Sequence, residues 1–526
     1  MAREKVDILL TTPYFEQVEA AIPRTVQSTC VGLSYLKAYL NRAGITSKVV
    51  DPYGRKMGLE ETLDLYKQFE TSIYGISATF VTHDRLGRFC KEIKNYNPNS
   101  NILLGGWGSF SYKEILATIP QVDFVGVGQG ELFISPFVSA LKRGDVEGAK
   151  KIPGIASREF GLLEKANIVT NLDELLTPDI SDTPPFKLAP GVRQTINYYS
   201  SRGCPNSCKF CTIKLMHESV LTMSPEKVAE DLTGLLEKYP GETQIGLSDD
   251  LFDIRRLGPI LDHLEKRGIG DLKFFFQSTA QNVAANTDLL KDSRITNAIY
   301  RLDMGIETFS RERLRFFAKP STPELNWEAV SSIAELGLPS LAYTILDDTL
   351  DKLKATKDYY VHPKFWPMNF WMNGLLVFPH TKLAQAQWES EVKPWQNAFH
   401  IMMKPFHAVR TRMAEVSHLY EPGLKRFKND PAQREKWAIY RAKQDRMAER
   451  IKYLVKSHFD HALEVAELVD SGLLEWNSQA VHQLAEKHLQ NFKKELDELS
   501  QPAQTRPVST ERLREIMNER RIPKSF

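Results

Sequence analysis

Three of the chain's five cysteines, Cys204, Cys208 and Cys211, fall within the single segment SSRGCPNSCKFCTIK of a 526-residue sequence. An odd cysteine count with this clustering argues against a disulfide framework and for a metal or redox site. A structural zinc site needs four ligands, usually as two C-x2-C pairs. The spacing here is C-x3-C-x2-C, and the nearest further donor is His217. Zinc would therefore need a distant fourth ligand. Three thiolates can instead ligate three irons of a [4Fe–4S] cluster and leave the fourth iron open to a substrate-like ligand. Cys30 and Cys90 stand apart and read as small buried hydrophobes.

Further candidates stand where apolar runs end. Asp249 and Asp250 close TQIGLSDD, Gln277 and Ser278 close KFFFQS, Glu307 closes MGIE, and Val377 and Phe378 lie in LLVFPHT. For each carboxylate the competing reading is a helix cap or a surface pair. Nearer the start, Thr11 and Pro13 follow DILL, and Ser77, Thr79 and Val81 follow IYGI. Gly105, Gly106 and Gly108 follow NILL, and Gly128, Gln129 and Glu131 lie in GVGQGE. Glycines at such ends let a bulky ligand approach the backbone, although tight turns use them too. KFWPMNFWMNG (364–374) could line an apolar pocket or pack in a core; His400 and His407 read as ordinary surface or core histidines.

The elements that must position these residues are α/β in pattern. Residues 6–160 alternate short apolar runs with amphipathic stretches, the rhythm of a doubly wound parallel sheet, whose ligands sit beyond the carboxyl ends of the strands. DELLTPDISDTPPFKLAP, with four prolines and little periodicity, reads as an extended connector. Six further strands alternate with helices up to about residue 380 and fit a partial (β/α)6 barrel with its site at the strand C-termini. Beyond residue 385 the spacing turns helical, with one apolar face. The expected division is 1–170, a linker at 171–191, the barrel at 192–384 and a helical C-terminal region at 385–526.

Composition narrows the function classes. Lys and Arg total 68 against 66 for Asp and Glu, so a net charge of +2 predicts no large nucleic-acid surface. No apolar run approaches the roughly 18 residues of a membrane span, and the opening MAREKVDILLTT lacks a signal-peptide core. A cytoplasmic protein is expected.

RGCPNSCKFC resembles the signature of the radical S-adenosylmethionine (radical SAM) superfamily, three cysteines after the first strand of a partial barrel. The resemblance implies that the open iron chelates S-adenosylmethionine, which an electron from the cluster cleaves to methionine and a 5′-deoxyadenosyl radical. Phe210 matches the position whose backbone helps hold adenine. By the same resemblance Asp249 and Asp250 stand at the second strand end near the methionine moiety, Gln277 and Ser278 at the third, and Glu307 at the fourth. Val377 and Phe378 flank adenine at the sixth. The family often has Gly-x-Pro after the fifth strand, where this chain has ILDDTLDK.

Residues 6–160 are similar to the cobalamin-binding domain that precedes many such barrels, in the order TTP, ISATFVTHD, NPNSNILLGGWGS and IPQVDFVGVGQGE. Carriers that ligate cobalt from below use D-x-H-x-x-G; this chain has DPYGRKMG, with Tyr53 in place of histidine. A phenol with a reference pKa of about 10 is a poor ligand, so no protein nitrogen on cobalt is expected. An unligated lower face eases reduction to the nucleophilic cobalt(I) state. The combined resemblance implies a cobalamin-dependent radical SAM enzyme, foremost a C-methyltransferase acting on a small molecule. It also implies an electron donor such as flavodoxin or ferredoxin. Ring closure or oxidation by the radical alone, polar methylation through cobalamin, and a non-enzymatic regulator remain open alternatives.

Overall fold

The computed structural model describes residues 3–15, 30–78, 83–185, 193–346, 349–360, 362, 368–373, 380–386, 396, 398–399, 402–403, 456–475 and 478–500. The N-terminal strands are β1 (Glu4–Lys5), β2 (Ile8–Thr11), β3 (Ser47–Val50), β4 (Phe69–Glu70), β5 (Ile73–Ser77), β6 (Asn101–Gly105), β7 (Phe124–Gly126), β8 (Ile155–Ser157) and β9 (Gly161–Leu162). Seven of them form one sheet in the order β3-β2-β5-β6-β7-β8-β9, and β1 pairs with β4. The pairings from β3 through β7 are parallel; β8 and β9 add antiparallel.

Alternate residues of these strands enter opposite cores, as the two-residue period of a strand requires. Leu9, Tyr74, Ile76, Ile102 and Leu104 pack with Leu86, Phe89 and Ile93 on one face. Ile8, Leu10, Ile73, Leu103 and Phe124 pack with Leu33, Leu40 and Phe137 on the other. A sheet covered on both faces needs continuous apolar strands, which ILLT and NILLG supply. The chain steps from β2 outward to β3 and then across to β5. The carboxyl ends of β2 and β5 therefore form the topological switch point, the expected ligand crevice.

The proline-rich connector is not a free tether. Asp182 accepts from Lys37, from Lys48 Nζ at 2.9 Å and from Val49 N–H at 2.9 Å, and Asp179 accepts from Asn41 at 2.7 Å. Leu172, Leu175 and Ile180 are buried. Periodicity reveals none of this, because isolated anchors leave no repeat in the sequence.

The second set comprises β10 (Gln194–Tyr198), β11 (Ser201–Arg202), β12 (Leu221–Thr222), β13 (Thr243–Leu247), β14 (Lys273–Thr279), β15 (Ile299–Glu307), β16 (Ser340–Ile345) and β17 (Met368–Asn373). Six make a sheet in chain order, β10-β13-β14-β15-β16-β17, while β11 and β12 form a short antiparallel pair. Strands that neighbour in chain order with helices between them are repeated β/α units, the partial-barrel pattern. The helices start where the sequence signals it. Ser224 Oγ accepts from Lys227 N–H ahead of Pro225–Lys238, and Thr322 caps Pro323–Leu336, which Gly337 ends in the left-handed conformation.

The chain divides into two compact units. The first is Met1–Asp303 with Phe317–Lys319 and Val377–Glu389, and the second is Met304–Phe316 with Pro320–Leu376 and Ser390–Phe526. In the C-terminal region the described helices cover 456–470 and Gln479–Ser500. His400 and His407, residues 364–367 and 374 of KFWPMNFWMNG and residues 347–348 of ILDDTLDK lie outside the described residues. Among the described residues no helix is long and apolar enough to cross a membrane.

Candidate active site

In the first unit the cysteine segment leaves β11 through Gly203, whose φ is +88°. A Cβ there would stand 2.1 Å from the Ser219 carbonyl oxygen, so only glycine fits this turn. Asp249, just beyond β13, fixes the segment's entry. Its Oδ1 accepts from the N–H groups of Ser200 (2.6 Å) and Ser201 (3.0 Å), and its Oδ2 from both hydroxyls (2.6 and 2.7 Å). Arg256 lies 3.8 Å from the carboxylate and also donates to the carbonyls of Ser200 (3.0 Å) and Met223 (2.9 Å). Burial pushes the Asp249 carboxyl above the ordinary carboxylate range, against those hydrogen bonds and Arg256. Asp250 Oδ2 accepts from Gly203 N–H at 2.7 Å.

Lys209, between the second and third cysteines, is clamped through its backbone. Its N–H donates to Phe317 O at 2.8 Å, and its carbonyl accepts from Leu383 N–H at 3.1 Å. Phe210 meets Phe317 edge to face at 5.3 Å. All five cysteines are free thiols, and Cys204 is buried. Burial raises the thiol pKa of Cys204 and Cys211, and the Lys319 ammonium opposes that rise at both. Lys319 is itself buried, and sequence reading missed it because nothing in AKPST marks a cation at a cysteine loop. Among the described residues no three His, Cys, Asp or Glu side chains converge as ligands of a single metal ion would. A cubane binds its thiolates at separate irons and needs no such convergence, so a three-thiol donor set in a loop closed by backbone clamps fits a [4Fe–4S] cluster.

His217 lies 3.7 Å from Asp250 Oδ2 and meets the Trp107 ring edge to face at 6.1 Å. Burial, then Arg202, pushes the imidazole down to about 4. Burial, opposed by the Gly203 N–H and reinforced by Asp249, pushes the Asp250 carboxyl up to about 6. At neutral pH the histidine is uncharged and the contact is not an ion pair. The raised carboxyl contributes stability below its ordinary 3.8, lost as pH rises through about 6. The depressed histidine works oppositely, destabilising the fold most at low pH and relieving it as pH rises from about 4 to 6.5. Asp250→Asn removes only the first slope. Melting of the apoprotein should then rise more steeply with pH across that window than in the parent; an equal slope by calorimetry refutes the assignment.

The carboxyl edge of the seven-stranded sheet assembles the other cluster of expected ligands. After β2, Thr12 Oγ1 donates to Asp51 Oδ1 (2.7 Å) and accepts from Tyr53 N–H (3.1 Å). Asp51 also holds the N–H groups of Gly54 (2.9 Å) and Cys30 (3.1 Å). Tyr53 packs edge to face on Phe15, Pro13 is buried, and Ser77 Oγ accepts from the Cys30 thiol at 3.6 Å. After β6, Gly106 has φ +81° and Gly108 N–H donates to Ala78 O at 2.8 Å. A Cβ on Gly108 would stand 2.8 Å from that same oxygen, whereas Gly105 has only Gly126 O near, at 4.0 Å. The fully buried Ser109 hydroxyl has no partner among the described residues. A glycine cradle at the switch-point side of the sheet with an orphaned buried hydroxyl fits a bulky polar ligand such as cobalamin.

Several expected ligands are occupied otherwise. Thr11 is fully buried, with its hydroxyl on Tyr66 and on the Thr12 carbonyl. Gly128 has φ +105° and faces Ala166, and Gln129 Oε1 accepts from Val169 N–H at 2.9 Å. Glu131 pairs with Arg202. On β14, Gln277 is exposed while Ser278 lies on the opposite, buried face and donates to Phe252 O at 3.0 Å. Strand parity thus turns Ser278 away from the Gln277 side. Thr79, Val81, Val377 and Phe378 lie outside the described residues.

In the second unit Glu307 ends β15 at a register shift and adopts φ +63°, a costly conformation for a non-glycine residue. Asn326 supports it: its Nδ2 donates to the carbonyls of Ile306 (3.0 Å) and Thr308 (2.9 Å) on either side. Ser321 Oγ in turn donates to Asn326 Oδ1 at 2.6 Å. A helix-interior asparagine gave no sequence signal. Asn326→Leu should release the backbone around Glu307 and destabilise the apoprotein by about 2 kcal/mol, since the buried carbonyls of Ile306 and Thr308 both lose their donor. Urea unfolding with an unchanged midpoint would refute this.

The sequence pattern of the Radical SAM superfamily matches residues 198–359, and that of the B12 binding domain matches 24–135. An uncharacterized methyltransferase of Pyrococcus horikoshii is 29% identical over 360 residues, 66% of this chain and 76% of the relative. The anaerobic magnesium-protoporphyrin IX monomethyl ester cyclase of Rubrivivax gelatinosus is 23% identical, over 64% of this chain and 61% of its own. The cobalamin-dependent S-adenosylmethionine radical enzyme OxsB, solved with aqua-cobalamin, superposes with a TM-score of 0.64 at 16% identity, covering 98% of this chain and 84% of that one. The radical S-adenosylmethionine methyltransferase TsrM of Kitasatospora setae gives 0.54 at 15% identity, over 73% and 74%. With both domains in one polypeptide, in the order its strands and loops display, the chain belongs to the cobalamin-dependent radical S-adenosylmethionine enzymes.

Proposed function

We propose that this enzyme is a methyltransferase that delivers a methyl group to a carbon of a small-molecule substrate. The observation that carries the reading is Trp107 of the glycine cradle meeting His217, three residues beyond the cysteine segment, edge to face, so that the two cofactor loops approach one another. When bound, the cluster with S-adenosylmethionine supplies a substrate radical and cobalamin serves as the methyl carrier. The chain's own part is to orient and to exclude water. Asp249 and Asp250 fix the cysteine loop and the Lys209 backbone clamps close it, while in the second unit Asn326 fixes the backbone on either side of Glu307 at the end of β15. Asp249 is in this reading a positioning residue, since its oxygens are spent on Ser200 and Ser201.

A low-potential donor such as flavodoxin or ferredoxin fits the cluster's need for one electron, and five free thiols suit the cytoplasm. The likeness to anaerobic cyclases favours one second reading, radical ring closure without methyl transfer. Anaerobic reconstitution with iron, sulfide and hydroxocobalamin, then turnover with methyl-labelled S-adenosylmethionine, separates the two. Retained cobalamin and label in the product support methyl transfer. 5′-Deoxyadenosine with an unlabelled, altered substrate supports cyclisation, and an intact cluster without retained cobalamin defeats the methyl-transfer reading.

A further inference from the structure

We propose that the buried ion pair between Arg202 and Glu131 is a strut that fixes the separation of the two metal cofactors, with both residues acting as positioning residues. The proposal rests on the two-cofactor reading above. Arg202 is two residues ahead of the first cluster cysteine, and Glu131 is three residues beyond Gly128 at the carboxyl edge of the seven-stranded sheet. Arg202 Nη2 donates to Glu131 Oε1, and each side chain is only 8% exposed. The guanidinium carbon lies 5.7 Å from the Tyr199 ring centre and 5.9 Å from that of Tyr35. The Tyr35 hydroxyl also donates to Tyr199 O at 3.5 Å. The cluster side thus contributes Arg202 and Tyr199, and the N-terminal sheet domain contributes Glu131 from the segment after β7 and Tyr35 from the helix Val31–Arg42.

Stability does not account for such a pair. Removing two charges from water costs nearly all that their attraction returns, and well-packed apolar residues of similar size often serve as well or better. What the pair adds is direction. A charge-assisted hydrogen bond from the guanidinium to one carboxylate oxygen restricts the separation of the two groups, where an apolar contact would permit sliding. Distance matters for transfer between cofactors, since a displacement of about 1 Å can cost about 100-fold in rate. The backbone of Arg202 is itself fixed, paired with Leu221 and followed by the Gly203 N–H held on Asp250.

The test uses the holoenzyme with cluster and cobalamin bound, in the parent, in Arg202→Lys and in the double variant R202M/E131L, which removes both charges and leaves neither unpaired. Magnetic coupling between cob(II)alamin and the reduced cluster is read by pulsed electron paramagnetic resonance, with iron and cobalt counted on the same samples. The parent should show one well-defined coupling. The double variant should keep both metals but lose that single coupling to a broad distribution, and Arg202→Lys should restore it in part. An unchanged, single coupling in the double variant overturns the proposal. Should the double variant lose a cofactor, Arg202→Lys decides alone: a coupling identical to the parent overturns the strut, and a broadened one supports it. A parent that retains no cobalamin defeats the two-cofactor reading itself, a result distinguishable from failure of the strut.

Discussion

Alanine at Cys204, Cys208 or Cys211 will abolish formation of 5′-deoxyadenosine, a drop of at least about 1,000-fold that brings turnover to background. Each thiolate is one of only three in its loop, so losing one leaves two irons without a protein ligand and the cubane cannot be held. The same change at Cys30 or Cys90 will leave the cluster intact. Cys90 is fully buried in an apolar core, where burial pushes its thiol up to about 12, and Cys30 is held at Ser77 and Asp51. Iron content and the visible spectrum after anaerobic reconstitution distinguish the two groups. A cysteine-loop variant that keeps four irons and cleaves S-adenosylmethionine would sink the cluster assignment.

Asp249→Ala will destabilise the apoprotein by about 3–5 kcal/mol, because it strips a buried charge of its partner and leaves buried donors unpaired. The N–H groups of Ser200 and Ser201 lose their acceptor, and Arg256 loses the carboxylate it faces. Asp249→Asn will cost less. Its carbonyl oxygen still accepts from the backbone, and the two serine hydroxyls can turn to accept from the amide. Urea unfolding of the two variants beside the parent reads the difference. If alanine proves no worse than asparagine, the carboxylate is not the anchor of the cysteine loop and its free oxygens must serve a ligand instead. Iron retention should fall in the same order as stability, since the loop entry and the cluster share this support.

Asp249 and Ser278 show why strand-end chemistry was only partly legible. Both were visible as polar residues closing apolar runs, and both stand where the sequence placed them. Which way each turns depends on partners far along the chain: Ser200 lies 49 residues from Asp249, and Phe252 lies 26 from Ser278. Glu131 was read as a ligand of cobalamin, yet its partner Arg202 is 71 residues away in the other motif. Asn326 and Lys319 carried no signal at all, because an asparagine within a helix and a lysine in a turn are ordinary until something distant needs them.

The sequence alone offered the candidate cluster ligands, Cys204, Cys208 and Cys211, and the order of the two sheets. The three cysteines are local to one loop, so their spacing already contains the donor set, and strands covered on both faces must be written as continuous apolar runs. Only the tertiary structure decided which strand-end groups remain open to a ligand and which are consumed as supports. That choice depends on side-chain parity and on long-range hydrogen bonds, and a buried polar group takes whichever partner the folded chain brings to it.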